Sequence, residues 1–224
     1  LFALSDYTFT VNENTTVKAT FEKRKLKVTV TKEGGNEGCT FEVEGSANLD
    51  AVEYGAKLQV KVTAEATGYQ FKELKSDDVA IEGNKFEVKS EKDAIEVKVV
   101  FELKKFDITT EVVAGKAEGC SIKVNVQESL TGIDYGTMVK VTETHAAGWE
   151  LQSLTVDGVD ITASKTFVVE KTVSVKATFE KRKLKVSVTK EGGNEGCTFE
   201  VEGSANLGAV EYGTKLQVKV TAEA

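Results

Sequence analysis

The chain has 224 residues, with 29 Lys and Arg against 36 Asp and Glu for a formal net charge of -7, 40% hydrophobic residues, one His, one Trp, three Cys and no Pro. An acidic excess with alternating signs excludes a nucleic-acid binder, which needs a basic stripe to release counterions from phosphates, and no apolar run approaches the roughly 20 residues that cross a bilayer. The scarcity of His and Cys leaves little for catalysis, so no enzyme, cofactor or metal centre is expected; Leu1 follows neither Met nor a basic segment, and the chain reads as a piece of a longer product.

Hydrophobic residues recur with a period of two, which predicts strands, each with one face in water. In chain order they carry Leu26, Val28 and Val30; Phe41 and Val43; Leu58, Val60 and Val62; Phe71 and Leu74; Val79 and Ile81; Phe86 and Val88 after a turn at Gly83-Asn84; and Ile95, Val97, Val99 and Phe101. A second series runs through Ile108; Ile122 and Val124; Val139 and Val141; Leu151 and Leu154; a turn at Asp157-Gly158; Phe167 and Val169; and Val173, Val175, Ala177 and Phe179. The most helix this pattern allows is one turn over 90–94. Short strands at this density predict an all-β chain, a tandem array of small antiparallel β-sandwich-like repeat domains.

The chain repeats itself. Residues 23–66 return at 181–224 with three changes in 44 positions: Thr29 becomes Ser187, Asp50 becomes Gly208 and Ala56 becomes Thr214. A diverged copy lies between them, with Cys39, Cys120 and Cys197, then Tyr54-Gly55, Tyr135-Gly136 and Tyr212-Gly213, in the same phase. The joints are short: Phe21 to Leu26 and Phe101 to Phe106 pass from a closing strand to the next opening strand with no Gly, Ser or Pro run. Such joints predict a semi-rigid string of units. The basic triplet Lys23-Arg24-Lys25 reads as a solvated joint rather than a polyanion site.

Tyr54, Gly55, Gly68, Tyr69 and Phe71 in one unit, Tyr135, Gly136, Gly148, Trp149 and Leu151 in the next, and the closing Val175, Ala177 and Phe179 resemble the divergent internalin B-repeat, or Listeria–Bacteroides repeat. Leu74 and Leu154 stand where that family often has Trp, and its Pro before Gly-Tyr is absent. The resemblance implies bacterial proteins that are extracellular, on the cell surface or secreted, with repeats serving as stalks, spacers or adhesive modules and no catalytic residue. It also implies β-grasp-like units as the alternative to a sandwich.

Site by site, packing outweighs chemistry. Cys39, Cys120 and Cys197 occupy one position in successive units, too far apart for disulfides, and share the parity of inward residues; they read as structural core thiols. His145 has no counterpart in the other units and reads as an incidental loop residue. The Gly-rich stretch Glu33–Gly38 lacks the Lys-Ser/Thr ending of a phosphate loop and reads as a turn. Asp77-Asp78 and Asp157-Gly158-Val159-Asp160 suit hairpin turns better than calcium. Tyr69 and Trp149, at equivalent positions, are the candidate ligand-stacking pair, with packing the favoured role.

Two functions remain open: an elongated non-catalytic stalk or spacer, and an adhesive or glycan-binding module. The expected partners are other repeats of the same protein, a host or glycan ligand for the second reading, and a second copy for head-to-tail self-association into a filament. The domain phase is also open. One division is 1–66, N-terminally incomplete, then 67–147 and 148–224; the family's phase makes 23–101 and 102–179 complete and leaves 1–22 and 180–224 partial.

Overall fold

The computed structural model describes residues 8–116, 118–126, 129–193 and 195–222; the outermost ends of the expected domains lie outside these. Among the described residues there are strands and no helix, and 91–93 form a bend where one helical turn was the most allowed. The chain divides into two compact units, Leu1–Glu65 with Phe71–Phe101, and Ala66–Gln70 with Glu102–Ala224.

The first series of strands is β1 (Lys25–Glu33), β2 (Thr40–Glu44), β3 (Val52–Glu53), β4 (Lys57–Ala64), β5 (Tyr69–Lys75), β6 (Ile81–Glu82), β7 (Lys85–Glu87) and β8 (Ala94–Leu103). They form two sheets, ordered β3-β1-β8-β5 and β2-β4-β7-β6. Their alternation of β-branched and charged residues sends Leu26 and Val28 of β1, Leu58 and Val60 of β4 and Ile95, Val97 and Val99 of β8 inward. Each such side chain contributes about 1.5–3 kcal/mol by leaving water.

The second series is β9 (Lys105–Phe106), β10 (Ile108–Ala114), β11 (Ser121–Asn125), β12 (Ile133–Asp134), β13 (Met138–Thr144), β14 (Trp149–Val156), β15 (Val159–Asp160), β16 (Thr166–Val168) and β17 (Val173–Lys181). One sheet runs β10-β17-β14-β15 and another β11-β13-β16. Val139 and Val141 of the smaller sheet share one core with Leu154, Val175, Ala177 and Phe179 of the larger, which makes the repeat a two-layer, sandwich-like unit.

The expected antiparallel pairing holds for most ladders, with one difference in each repeat. The opening and closing strands run parallel: Val28 lies opposite Ile95 and Val30 opposite Val97 in β1 and β8, and Ile108 lies opposite Val173 in β10 and β17. A parallel pair cannot be joined by a tight turn. The segment between the paired strands crosses over and supplies the second sheet.

The last copy holds β18 (Lys183–Leu184), β19 (Thr198–Glu202), β20 (Val210–Glu211) and β21 (Gln217–Thr221), and among the described residues β18 pairs with β20 and β19 with β21 alone. At the other end, described residues 8–24 form no strand.

Candidate functional site at the joints between repeats

Each joint is organised by a main-chain bond between the middle residue of the linker and the Tyr-Gly turn that follows. Tyr54 N donates to Arg24 O at 2.7 Å, Tyr135 N to Lys104 O at 2.8 Å and Tyr212 N to Arg182 O at 2.8 Å. At two joints the linker residue also donates back: Lys104 N to Gly68 O and Arg182 N to Gly148 O, both at 2.8 Å. The ring of the following Tyr then lies directly on the glycine of the preceding repeat. A Cβ placed on Gly68 would sit 2.2 Å from Tyr135 Cδ1, and one on Gly148 would sit 1.9 Å from Tyr212 Cδ1, so any other residue at either position would push the ring away. In the sequence these Gly and Tyr residues stand out as repeat markers, with nothing local to show that they meet across a joint. Their recurrence in phase at successive joints was the available signal.

Arg24 also departs from the expectation of a solvated triplet. Its guanidinium donates to Ser90 O and Glu91 O, each at 3.1 Å, and meets Asp93 Oδ1 at 2.5 Å, which ties the start of β1 to the turn before β8. Lys105 pairs with Asp134 at 2.8 Å between the paired strands β9 and β12, just after the next joint.

Among the described residues the other candidates lie apart from one another, Cys120 and Trp149 at Gly115 excepted. Cys39 and Cys120 are buried, Cys197 is half-buried, and no disulfide joins them among the described residues. Tyr69 and Trp149 are half-buried at the starts of β5 and β14, and the Trp149 ring lies 3.1 Å from the Cβ position of Gly115. His145 stacks edge-on against Phe179, with ring centroids 5.7 Å apart, and its Nε2 lies 3.8 Å from Glu143 Oε1. Burial pushes the Glu143 carboxyl up. The hydrogen bond from Lys165 and the charges of Lys165 and His145 outweigh that and hold it below its ordinary range.

The aspartates weighed for calcium are engaged within their turns. Asp78 accepts from Lys92 Nζ at 2.5 Å and from Glu96 N at 2.8 Å, and these contacts lower its pKa. Asp157 accepts from Ser174 N at 2.9 Å and pairs with Lys171 at 2.8 Å, with the same result. Asp160 accepts from Thr162, which also lowers its pKa. No group of three or more His, Cys, Asp or Glu able to hold a metal occurs among the described residues. The Gly-rich stretch forms the turn between β1 and β2, closed by Cys39 N donating to Asn36 O at 3.1 Å. No helix among the described residues is long and apolar enough to cross a membrane.

Comparison with known proteins places one segment. Residues 110–183 match the family model of the divergent InlB B-repeat domain. Among solved structures the chain is similar to the pilus adhesin SpaC from Lactobacillus rhamnosus GG in its open conformation, at 10% identity and a TM-score of 0.23, over 75% of this chain and 32% of that one. The chain thus spans about a third of that adhesin's length, and a likeness this slight carries no argument. No curated protein matches the chain. The match runs from within β10 to the joint after β17 and agrees with the family that the recurring Gly and Tyr residues resemble.

Proposed function

We propose that this chain is a non-catalytic run of tandem repeats from a bacterial cell-surface or secreted protein, acting as an elongated stalk or spacer. The observation that carries the reading is the joint: the linker's own peptide groups and a Tyr ring seated on Gly148 hold one repeat to the next. A spacer needs repeat-to-repeat contact and no reactive centre. The family of residues 110–183 supports the surface location, and the sheet pairings support 23–101 and 102–179 as the folding units. The adhesive or glycan-binding reading has no further support, since Tyr69 and Trp149 begin equivalent strands and are both half-buried.

Small-angle scattering at dilution tests the spacer. A thin rod of three units has a radius of gyration near about 29 Å, against about 17 Å for a globule of this length. A value near the globule's would overturn the spacer reading. Antibodies against the segment should stain intact cells of its source; staining only after lysis would overturn the surface location.

A further inference from the structure

The smaller sheet of the second repeat, β11-β13-β16, turns one face to its core and the other to water. On the outer face Met138 of β13 lies opposite Val168 of β16, and they are 75% and 45% exposed. The apolar surface continues from Val168 into an open groove of about 560 Å³ that Val159, Ile161, Phe167 and Val173 line, with Val159 exposed as well. Charge flanks the pair on both sides. Lys140, opposite Thr166, lies two residues from Met138 in one direction, and Glu170 lies two residues from Val168 in the other. Both are exposed, and neither makes an ion pair among the described residues.

The equivalent face of the first repeat has the same pairing and a different chemistry. Lys57 of β4 lies opposite Glu87 of β7 where the second repeat has Met138 opposite Val168, and Gln59 and Lys89 stand where it has Lys140 and Glu170. Water alone favours the charged pair across such strands. A Met and a Val side by side on a wet face, continuous with an apolar groove, mark a surface that something covers.

We infer that this face of the second repeat is a contact surface for the same face of a second copy of the chain. A two-fold axis crossing the strands at Met138 and Val168 sets Met138 on Met138 and Val168 on Val168 and reverses the direction of the partner's strands. Lys140 and Glu170 lie about 7 Å to either side of that axis, on neighbouring strands about 5 Å apart, so the Lys140 side chain of each copy reaches the partner's Glu170. Two equivalent ion pairs then flank an apolar centre. The same operation on the first repeat would set Lys57 on Lys57 and Lys89 beside Gln59, which repels where the second repeat attracts. Because the contact is isologous it closes at two chains, laid antiparallel at the second repeat. It stands on the second repeat alone and does not depend on the spacer reading.

The test uses the full 224-residue chain. Sedimentation up to about 1 mM should show a weak monomer–dimer equilibrium that goes no further, as a contact of this size gives. Met138→Lys with Val168→Glu puts the first repeat's pair at two exposed positions; it should leave circular dichroism unchanged and weaken association at least about tenfold. Lys140→Glu alone and Glu170→Lys alone should each weaken it about fivefold, and the two together should restore it, because the exchange keeps both ion pairs. A role confined to one chain would not produce that rescue. A chain that stays monomeric over the whole range overturns the proposal and leaves the patch to a different partner. Association that Met138→Lys with Val168→Glu leaves intact overturns it too, as does a charge exchange that fails to restore the dimer.

Discussion

Residues 25–64 and 183–222 are nearly the same sequence in different structures. In the first, KLKVTVTKE is the nine-residue strand β1; in the second, KLKVSVTKE is strand only at Lys183–Leu184. Val60 is 1% exposed and its copy Val218 is 47% exposed. β4 pairs with both β2 and β7, whereas among the described residues β21 pairs with β19 alone. Other features survive unchanged: Val28 N donates to Leu49 O at 2.7 Å and Val186 N to Leu207 O at 2.8 Å, and the Asn48 and Asn206 turns keep the same side-chain bonds. Contacts within the opening half do not need the closing strand; the opening strand of the main sheet does. β8 lies beside β1, and no closing strand lies beside 185–191 among the described residues.

The comparison breaks most severely if the closing strand of an intact repeat is weakened. Phe179→Ala empties a fully buried position and should cost about 4 kcal/mol, leaving residues 106–144 resembling 184–221. Urea unfolding of the second repeat, followed by its single Trp149, measures it. A loss under about 1 kcal/mol would mean that the closing strand does not hold the sheet.

A matched pair sharpens the comparison. Val60→Ala should cost about 2 kcal/mol, from two buried methyl groups and the cavity they leave, while Val218→Ala should cost less than about 0.5 kcal/mol in the monomer. Equal costs would show that both copies pack alike.

Gly34 and Gly192 make a second pair. Both have left-handed φ, +72° and +73°, so Ala strains either backbone by about 1 kcal/mol. Only at Gly34 would the new Cβ also meet Phe101 O, at 2.2 Å; around Gly192 nothing lies within 4 Å. Gly34→Ala should therefore cost at least about 1 kcal/mol more than Gly192→Ala by thermal unfolding. The reverse order would place the closing Phe elsewhere.

Acid gives the smallest effect. Lys92 holds Asp78, and Lys171 holds Asp157, below the ordinary 3.8, and Glu143 sits below 4.5 because Lys165 and His145 outweigh its burial. A carboxyl depressed in the folded state contributes stability above its unfolded pKa and loses it as pH falls through the lower folded value. The melting temperature should stay flat down to about pH 4.5 and fall below it, by little, because exposed pairs are screened. Lys92→Gln and Lys171→Gln should each flatten that fall; an unchanged profile would remove these pairs from the account.

Much of the fold was legible in the sequence. The period of two located the strands, and the phase of Cys39, Cys120 and Cys197 located the copies, because both signals are local. The parallel pairing of β1 with β8 was not legible, since the partner lies about 70 residues away and strand alternation carries no direction. Nor was the difference between Leu26, buried, and Leu184, exposed, since identical neighbours in sequence cannot show which strand lies alongside. The joint was half legible: short linkers were visible, but the seating of Tyr212 on Gly148 joins residues of different repeats.

The central claim is that a repeat's opening residues become sheet only with a closing strand beside them. Hydrogen exchange on the dilute, monomeric chain tests it most directly, because Thr29 and Ser187 give the two copies different masses. Amides of residues 27–33 should exchange slowly and those of 185–191 at close to the rate of an open chain. Equal protection of the two segments in the monomer would contradict the account.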